Sequence, residues 1–278
     1  MQIPGPLVDA GWLAEHIADP RLRVIDFRWY LDGRSGRAAY GSGHLPGAVF
    51  VDLEEVTGAT PGAGRHPLPE PEPFARVMRA AGVNRDSTVV VYDDQGGVVA
   101  ARLWWMLRYF GHDAAAVLDG GLQAWAGGLV TEPTTPAPGD FVAGEPRRWM
   151  RVDYEAVRGL PSGTILLDAR APERYRGESE PVDPRAGHIP GARNAYCRDN
   201  LDDDLRFKSA PELRERFARL GVVPGAEVVA YCGSGVSACH DLLALELAGL
   251  PGARLYPGSW SDWSARPDAP VATGAEPD

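Results

Sequence analysis

Only three cysteines, Cys197, Cys232 and Cys239, occur in 278 residues. So small and odd a number makes no disulfide framework, and a free thiol becomes a candidate for chemistry. Long apolar runs are missing as well: no stretch of about 18 or more apolar residues occurs. The N-terminus lacks a basic segment followed by an apolar one, so neither a membrane span nor a cleaved signal is expected. Positive charge is in deficit, with 28 Lys and Arg against 38 Asp and Glu and a net charge of -10. A polyanion is repelled on average, so nucleic acid is not an expected partner. No cluster with metal-ligand spacing and no Gly-rich nucleotide fingerprint after a strand is evident, so no cofactor is expected. These absences point to a soluble protein of a reducing cytoplasm. Turn formers, by contrast, are plentiful, with 33 Gly and 25 Pro.

What is present occurs twice. Val24-Ile25-Asp26-Phe27-Arg28 is matched by Leu166-Leu167-Asp168-Ala169-Arg170, and Gly43-His44-Leu45-Pro46-Gly47-Ala48 by Gly187-His188-Ile189-Pro190-Gly191-Ala192. Val89-Val90-Val91-Tyr92-Asp93 is matched by Val228-Val229-Ala230-Tyr231-Cys232, and a Gly-containing turn before Trp125 by one before Trp263. The four spacings lie between 138 and 144 residues, which reads as two copies of one domain. Between the copies, the Pro-rich stretch from Thr131 to Pro146 is expected to be an extended linker over the surface. The Pro/Ala-rich tail after Pro267 is expected to be loose. Short β-branched runs followed by helical periodicity, as in Ala238, Leu242, Leu245 and Gly249, predict strand–helix alternation and a parallel α/β sheet.

Cys232 ends one such strand, where open α/β sheets bind their ligands. Glycines at 233 and 235 let the following loop curl, so that several amide N–H groups can face one anion before the helix begins. An ordinary Cys is only a few per cent thiolate near neutrality. A hundredfold gain requires about 2.7 kcal/mol of preferential stabilisation. A helix dipole supplies about 0.3–1 kcal/mol, up to ~2 in good geometry, and each hydrogen bond to a charged group about 1.5–3 kcal/mol. Dipole and loop amides together are sufficient to hold a thiolate, and then a persulfide anion. A cysteine phosphatase would need Arg after the five-residue loop, but Ala238 stands there. Cys239 reads as core, and Cys197 as a bystander.

The run Cys-Gly-Ser-Gly-Val-Ser-Ala-Cys at 232–239, the two Gly-His-Leu/Ile-Pro-Gly-Ala turns and Gly258-Ser259-Trp260-Ser261-Asp262-Trp263 resemble the two-domain sulfurtransferases of the rhodanese family. The resemblance covers about residues 8–270. It implies an α/β fold of two tandem rhodanese-like domains, each a mostly parallel sheet flanked by helices. The expected division is 1–132 for an inactive copy with Asp93 at the Cys position, 133–149 for the linker and 150–278 for the catalytic copy. Members that prefer thiosulfate resemble Cys-Arg-Lys-Gly-Val-Thr, with two cations beside the sulfur. Members that prefer 3-mercaptopyruvate resemble Cys-Gly-Ser-Gly-Val-Thr, and this loop departs from that pattern only at Ser237.

The implied reaction moves a sulfane sulfur from 3-mercaptopyruvate through a Cys232 persulfide to a thiol, a thioredoxin-like protein or cyanide. Two alternatives are a thiosulfate:cyanide sulfurtransferase and, in another class, a non-catalytic rhodanese-fold binding module. The resemblance gives Cys232 the attack and Ser234 a proton relay or substrate contact. It gives the backbone of Gly233, Gly235, Val236 and Ser237 the anion, and Arg174 the substrate carboxylate. Arg185 is expected as a second carboxylate contact, and His44 as the histidine of a Ser-His-Asp relay with Asp32 as its acid. Asp26–Arg28 and Asp168–Arg170 read as structural pairs, and Trp104, Trp105, Trp125 and Trp263 as core.

Overall fold

Unbroken β-branched runs cannot face water on either side, and both copies bury them between helices. The computed structural model describes residues 3–60 and 62–276. It forms two compact units. The first comprises the chain up to Gly58, Leu68–Arg147 and Asp203–Phe207, and the second Ala59–Pro67, Arg148–Asp202 and the chain from Lys208 onward.

In the first unit, strands β1 (Leu7–Val8), β2 (Leu22–Asp26), β3 (Val49–Phe50), β4 (Thr88–Tyr92) and β5 (Ala115–Leu118) form one sheet in the order β1-β5-β4-β2-β3. Every pairing is parallel. Its helices are α1 (Ala10–His16), α2 (Gly36–Ser42), α3 (Pro71–Ala80) and α4 (Ala100–Tyr109). The second unit carries β6 (Ile165–Asp168), β7 (Ala192–Asn194), β8 (Val228–Tyr231) and β9 (Arg254–Leu255) in the order β7-β6-β8-β9, again all parallel. Its helices are α5 (Tyr154–Arg158), α6 (Pro172–Tyr175), α7 (Ala210–Arg219), α8 (Ala238–Leu247) and α9 (Ser259–Trp263). Strand for strand, β7-β6-β8-β9 repeats β3-β2-β4-β5, so the doubled sequence is a doubled topology.

The repeated motifs turn out to be brackets. Asp26 at the end of β2 is buried and binds Arg28, Nη2 to Oδ2 at 2.6 Å, and the same Nη2 donates to the Gly43 carbonyl at 2.9 Å. In the second unit Arg170 binds Asp168 at 2.6 Å and the Gly187 carbonyl at 2.7 Å. The middle strand joins in: Tyr92 Oη accepts from the Leu45 N–H at 3.2 Å, and Tyr231 Oη from that of Ile189 at 3.1 Å. Each Gly-His-x-Pro-Gly-Ala turn is thereby tied to two strand ends.

Trp104, Trp105 and Trp263 are buried as expected, while Trp125 is partly exposed. The Pro-rich stretch has no regular structure and runs along the first unit up to Arg147. Gly139 N–H donates to Arg79 O at 2.8 Å, and Phe141 is buried. The tail is not loose. Ala272 exchanges backbone bonds with His188, Gly274 N–H donates to Arg176 O, and Trp263 Nε1 donates to Pro270 O at 2.7 Å. A Pro-rich segment can still offer carbonyls and an occasional N–H, and here they are used. No helix among the described residues is long and apolar enough to cross a membrane.

The brackets carry a stability consequence. Arg28→Ala leaves the Asp26 carboxylate buried without its cation, and we expect a loss of about 3–5 kcal/mol in urea unfolding. A loss under about 1 kcal/mol would show that Tyr92, which donates to Asp26 at 2.6 Å, suffices alone.

Candidate active site

β8 delivers Cys232 to the carboxyl end of its sheet, with the side chain 2% exposed. The loop 233–237 leads into α8, and Gly235 adopts φ 76°, a left-handed conformation that side chains resist. The start of α9 turns the loop's carbonyls outward. Trp260 N–H donates to Cys232 O and Ser261 N–H to Gly233 O, both at 2.9 Å. Cys232 N–H itself donates to Ser259 Oγ at 3.1 Å. Among the described residues, no acceptor takes the N–H groups of Gly233, Ser234, Val236 or Ser237.

The first unit shows what such a loop holds. At the matching strand end, the buried Asp93 carboxylate accepts four backbone N–H groups. Gln95 and Gly97 donate to Oδ1 at 2.8 Å each, and Val99 and Ala100 to Oδ2 at 2.7 and 2.9 Å. Burial pushes the Asp93 carboxyl up, and the four N–H groups pull the other way. The strand-end loop of this fold is therefore a nest that takes an anionic side chain.

Around Cys232 the second unit gathers further groups. Ser234 Oγ lies 2.8 Å from His66 Nδ1, and both side chains are buried. His66 comes from the segment 59–67, which is secured where Arg65 N–H donates to Ser261 Oγ at 3.0 Å. Arg174, in α6, donates Nε and Nη2 to Glu180 at 3.2 and 2.6 Å and Nη2 to Asp183 at 3.2 Å. Arg65 pairs with Asp183 through Nη1, and Arg170 with Glu180 at 3.2 Å. Burial raises the Asp183 carboxyl despite Arg65 and Arg174. Glu180 is buried too, but the Arg174 hydrogen bond and the Asp183 and Val182 N–H groups bring it below the usual range.

Two expected contacts need correction. Arg185 does not reach for a substrate: its guanidinium donates to the carbonyls of Trp263, Ser264, Arg266 and Ala269 at 3.1, 2.8, 2.7 and 2.8 Å. Those bonds consume the cation in holding the tail. His44 is wholly buried in the first unit, stacked on Tyr40 at 3.7 Å with Nδ1 on the Tyr40 carbonyl at 2.8 Å. His188 does the same with Tyr175 in the second unit, so the motif histidine locks a turn in both copies. Asp32, guessed as the relay acid, is exposed and paired with Arg34. Arg65 and His66 went unnoticed in the sequence because they sit in an irregular Gly/Pro-rich stretch outside the repeated motifs. An Arg-His pair there is the one chemical signal. Cys197 is buried, and burial pushes its thiol well above the usual range. Cys239 is buried with Sγ 3.3 Å from Gly235 O.

A model of the rhodanese-like domain matches residues 9–127 and again 154–266. The chain belongs to the rhodanese family. A Pseudomonas aeruginosa protein named "probable 3-mercaptopyruvate sulfurtransferase" is 49% identical over 280 residues, covering 96% of this chain and 98% of its own. The thiosulfate sulfurtransferase of Cricetulus griseus is 39% identical over 284 residues, 96% of this chain and 95% of its own. The crystal structure of the Escherichia coli 3-mercaptopyruvate enzyme superposes with a TM-score of 0.81 at 36% identity, covering 92% of this chain and 99% of that one. This rhodanese is an enzyme, a sulfurtransferase acting on small sulfur donors, which sets aside a purely binding module.

One buried carboxyl near the site gives a pH signature. Asp241 in α8 is fully buried, and burial pushes its carboxyl up to about 7 against the pull of Arg216 and of Asn200, which donates at 2.7 Å. The folded state thus prefers the protonated acid. This stabilisation is complete below the unfolded value near 3.8 and is lost as pH rises through about 7. Asp241→Asn should flatten that limb of the stability–pH curve measured by denaturant unfolding. An unchanged slope would assign it to other groups.

Proposed function

We propose that Cys232 takes the sulfur of 3-mercaptopyruvate as a persulfide and passes it to a thiol, a thioredoxin-like protein or cyanide. The observation that carries this reading is the Asp93 nest. In an aspartate the carboxylate oxygen is three bonds from Cα, and in a cysteine persulfide the outer sulfur is also three bonds from Cα. A loop of the kind that holds the Asp93 oxygens supports N–H groups donating to the outer sulfur on Cys232. Charge-assisted bonds of this type contribute about 1.5–3 kcal/mol each, and they exist only once the anion is in place.

The step balances as follows. Thiolate Sγ of Cys232 attacks the donor sulfur, an S–S bond forms and the donor C–S bond breaks. The electron pair goes to carbon, giving the enolate of pyruvate, and the proton of the donor S–H ends on that carbon. Ser234 with His66 at 2.8 Å is a proton-carrying pair beside the nucleophile. Arg174 grips the α-keto acid's carboxylate, because its Nη1 lies within 3.5 Å of a Cβ position on Gly233, next to Cys232. The neutral Gly233-Ser234 pair favours this donor over thiosulfate, which the second reading, a thiosulfate:cyanide sulfurtransferase, requires.

Mass spectrometry after donor treatment should show one added sulfur, about 32 Da, on Cys232. Cys232→Ser should show none. Arg174→Ala should lower kcat/KM for 3-mercaptopyruvate by roughly 10- to 100-fold and affect thiosulfate far less. Faster wild-type turnover of thiosulfate would decide for the second reading. Ser234→Ala and His66→Gln should slow pyruvate release at unchanged donor affinity. Wild-type rates in both variants would remove the relay.

A further inference from the structure

Arg65 lies beside the Cys232 loop and has no part in the reading above. Its Nη1 is committed to Asp183 Oδ1. Its Nη2 takes no part in that ion pair and lies 2.9 Å from the point where a Cβ on Gly233 would sit. Arg174 is arranged in the same way. Its Nε and Nη2 go to Glu180 and Asp183, while Nη1 lies 3.5 Å from the same point. Asp183 therefore anchors one guanidinium with each of its oxygens, and the two outer nitrogens converge on the residue next to the nucleophile.

We propose that Arg65 and Arg174 form a two-guanidinium slot for the donor's carboxylate, and that Asp183 and Glu180 adjust this slot to a single negative charge. The proposal rests on the α-keto acid reading above and adds Arg65 and Asp183 to it. A planar carboxylate can offer one oxygen to each guanidinium, a geometry that arginine forks recognise. The charges decide between donors. Two guanidiniums already face two carboxylates, and Arg170 is matched by Asp168. A monoanion leaves one excess negative charge in a largely buried place, and a dianion leaves two. Burial raises the Asp183 carboxyl, so its burial works against a further negative charge beside it. A side chain at 233 would have to displace Arg65 Nη2, which Asp183 holds by its partner nitrogen.

The test compares persulfide formation from 3-mercaptopyruvate, its uncharged methyl ester and thiosulfate in the full-length protein. Wild type should prefer the acid to the ester. Arg65→Gln should lower kcat/KM for the acid by roughly 10- to 100-fold, mostly through KM, and leave the ester nearly unchanged. The ester rate thus serves as the control for folding. Gly233→Ala, which displaces the Arg65 head without removing its charge, should narrow the acid-to-ester preference in the same direction. Asp183→Asn should raise thiosulfate use relative to 3-mercaptopyruvate. Equal losses on acid and ester in Arg65→Gln, or an unaltered donor ratio in Asp183→Asn, would overturn the slot while leaving Cys232 chemistry intact. A wild type that gains no sulfur from any donor would instead overturn the parent reading, and this inference with it.

Discussion

A strand that ends under a helix leaves a turn of amide N–H groups with nothing in the sheet to bond, and those groups seek an anion. The rest of the molecule is arranged around that requirement. In the first unit it is met internally, by the Asp93 carboxylate and four N–H bonds. In the second unit the same place holds Cys232, whose unmodified side chain is one heavy atom shorter than that of aspartate. At the same strand end one copy carries a carboxylate and the other a thiol. The neighbouring carbonyls are tied down by the N–H groups of Trp260 and Ser261, so the loop does not offset its own donors.

Holding that turn still is the task of the buried brackets. Asp26–Arg28 and Asp168–Arg170 each tie two strand-end carboxylate bonds to the carbonyl of a motif glycine. Buried ion pairs add little net stability compared with apolar packing, but they tolerate few alternative geometries. Arg170 also shares Glu180 with Arg174, so the bracket under the sheet and the cations beside the nucleophile belong to one connected network. The position of Arg174 is thereby referred back to β6 through one shared carboxylate, Glu180, and the Arg170–Asp168 pair.

Much of this was legible in the sequence because duplication prints it twice. The strands and the brackets follow from motifs seen at matching positions, and Cys232 is conspicuous as the point where the copies differ. The relay expectation for His44 rests on the family resemblance, not on the repetition. His44 and His188 recur because both copies need the same stacked turn, which argues for structure and against a relay. Arg185 resembled a free cation because nothing in the sequence shows four carbonyls converging on it. Arg65 and His66 were illegible for the opposite reason. They belong to no repeat and no periodic element, and only the folded chain carries them from before α3 to the loop after β8.

Each compact unit borrows a segment that the sequence assigns to the other half: 59–67 joins the second, and 203–207 the first. During vectorial synthesis, the first unit therefore lacks a piece until residue 207 has emerged from the ribosome. The second, by contrast, inherits a strip made long before its own strands. A protease nick in the Pro-rich stretch would yield two fragments that are not two independent domains. The C-terminal fragment would keep Cys232 and Arg174 but forfeit Arg65 and His66, which the intact chain places in the same unit.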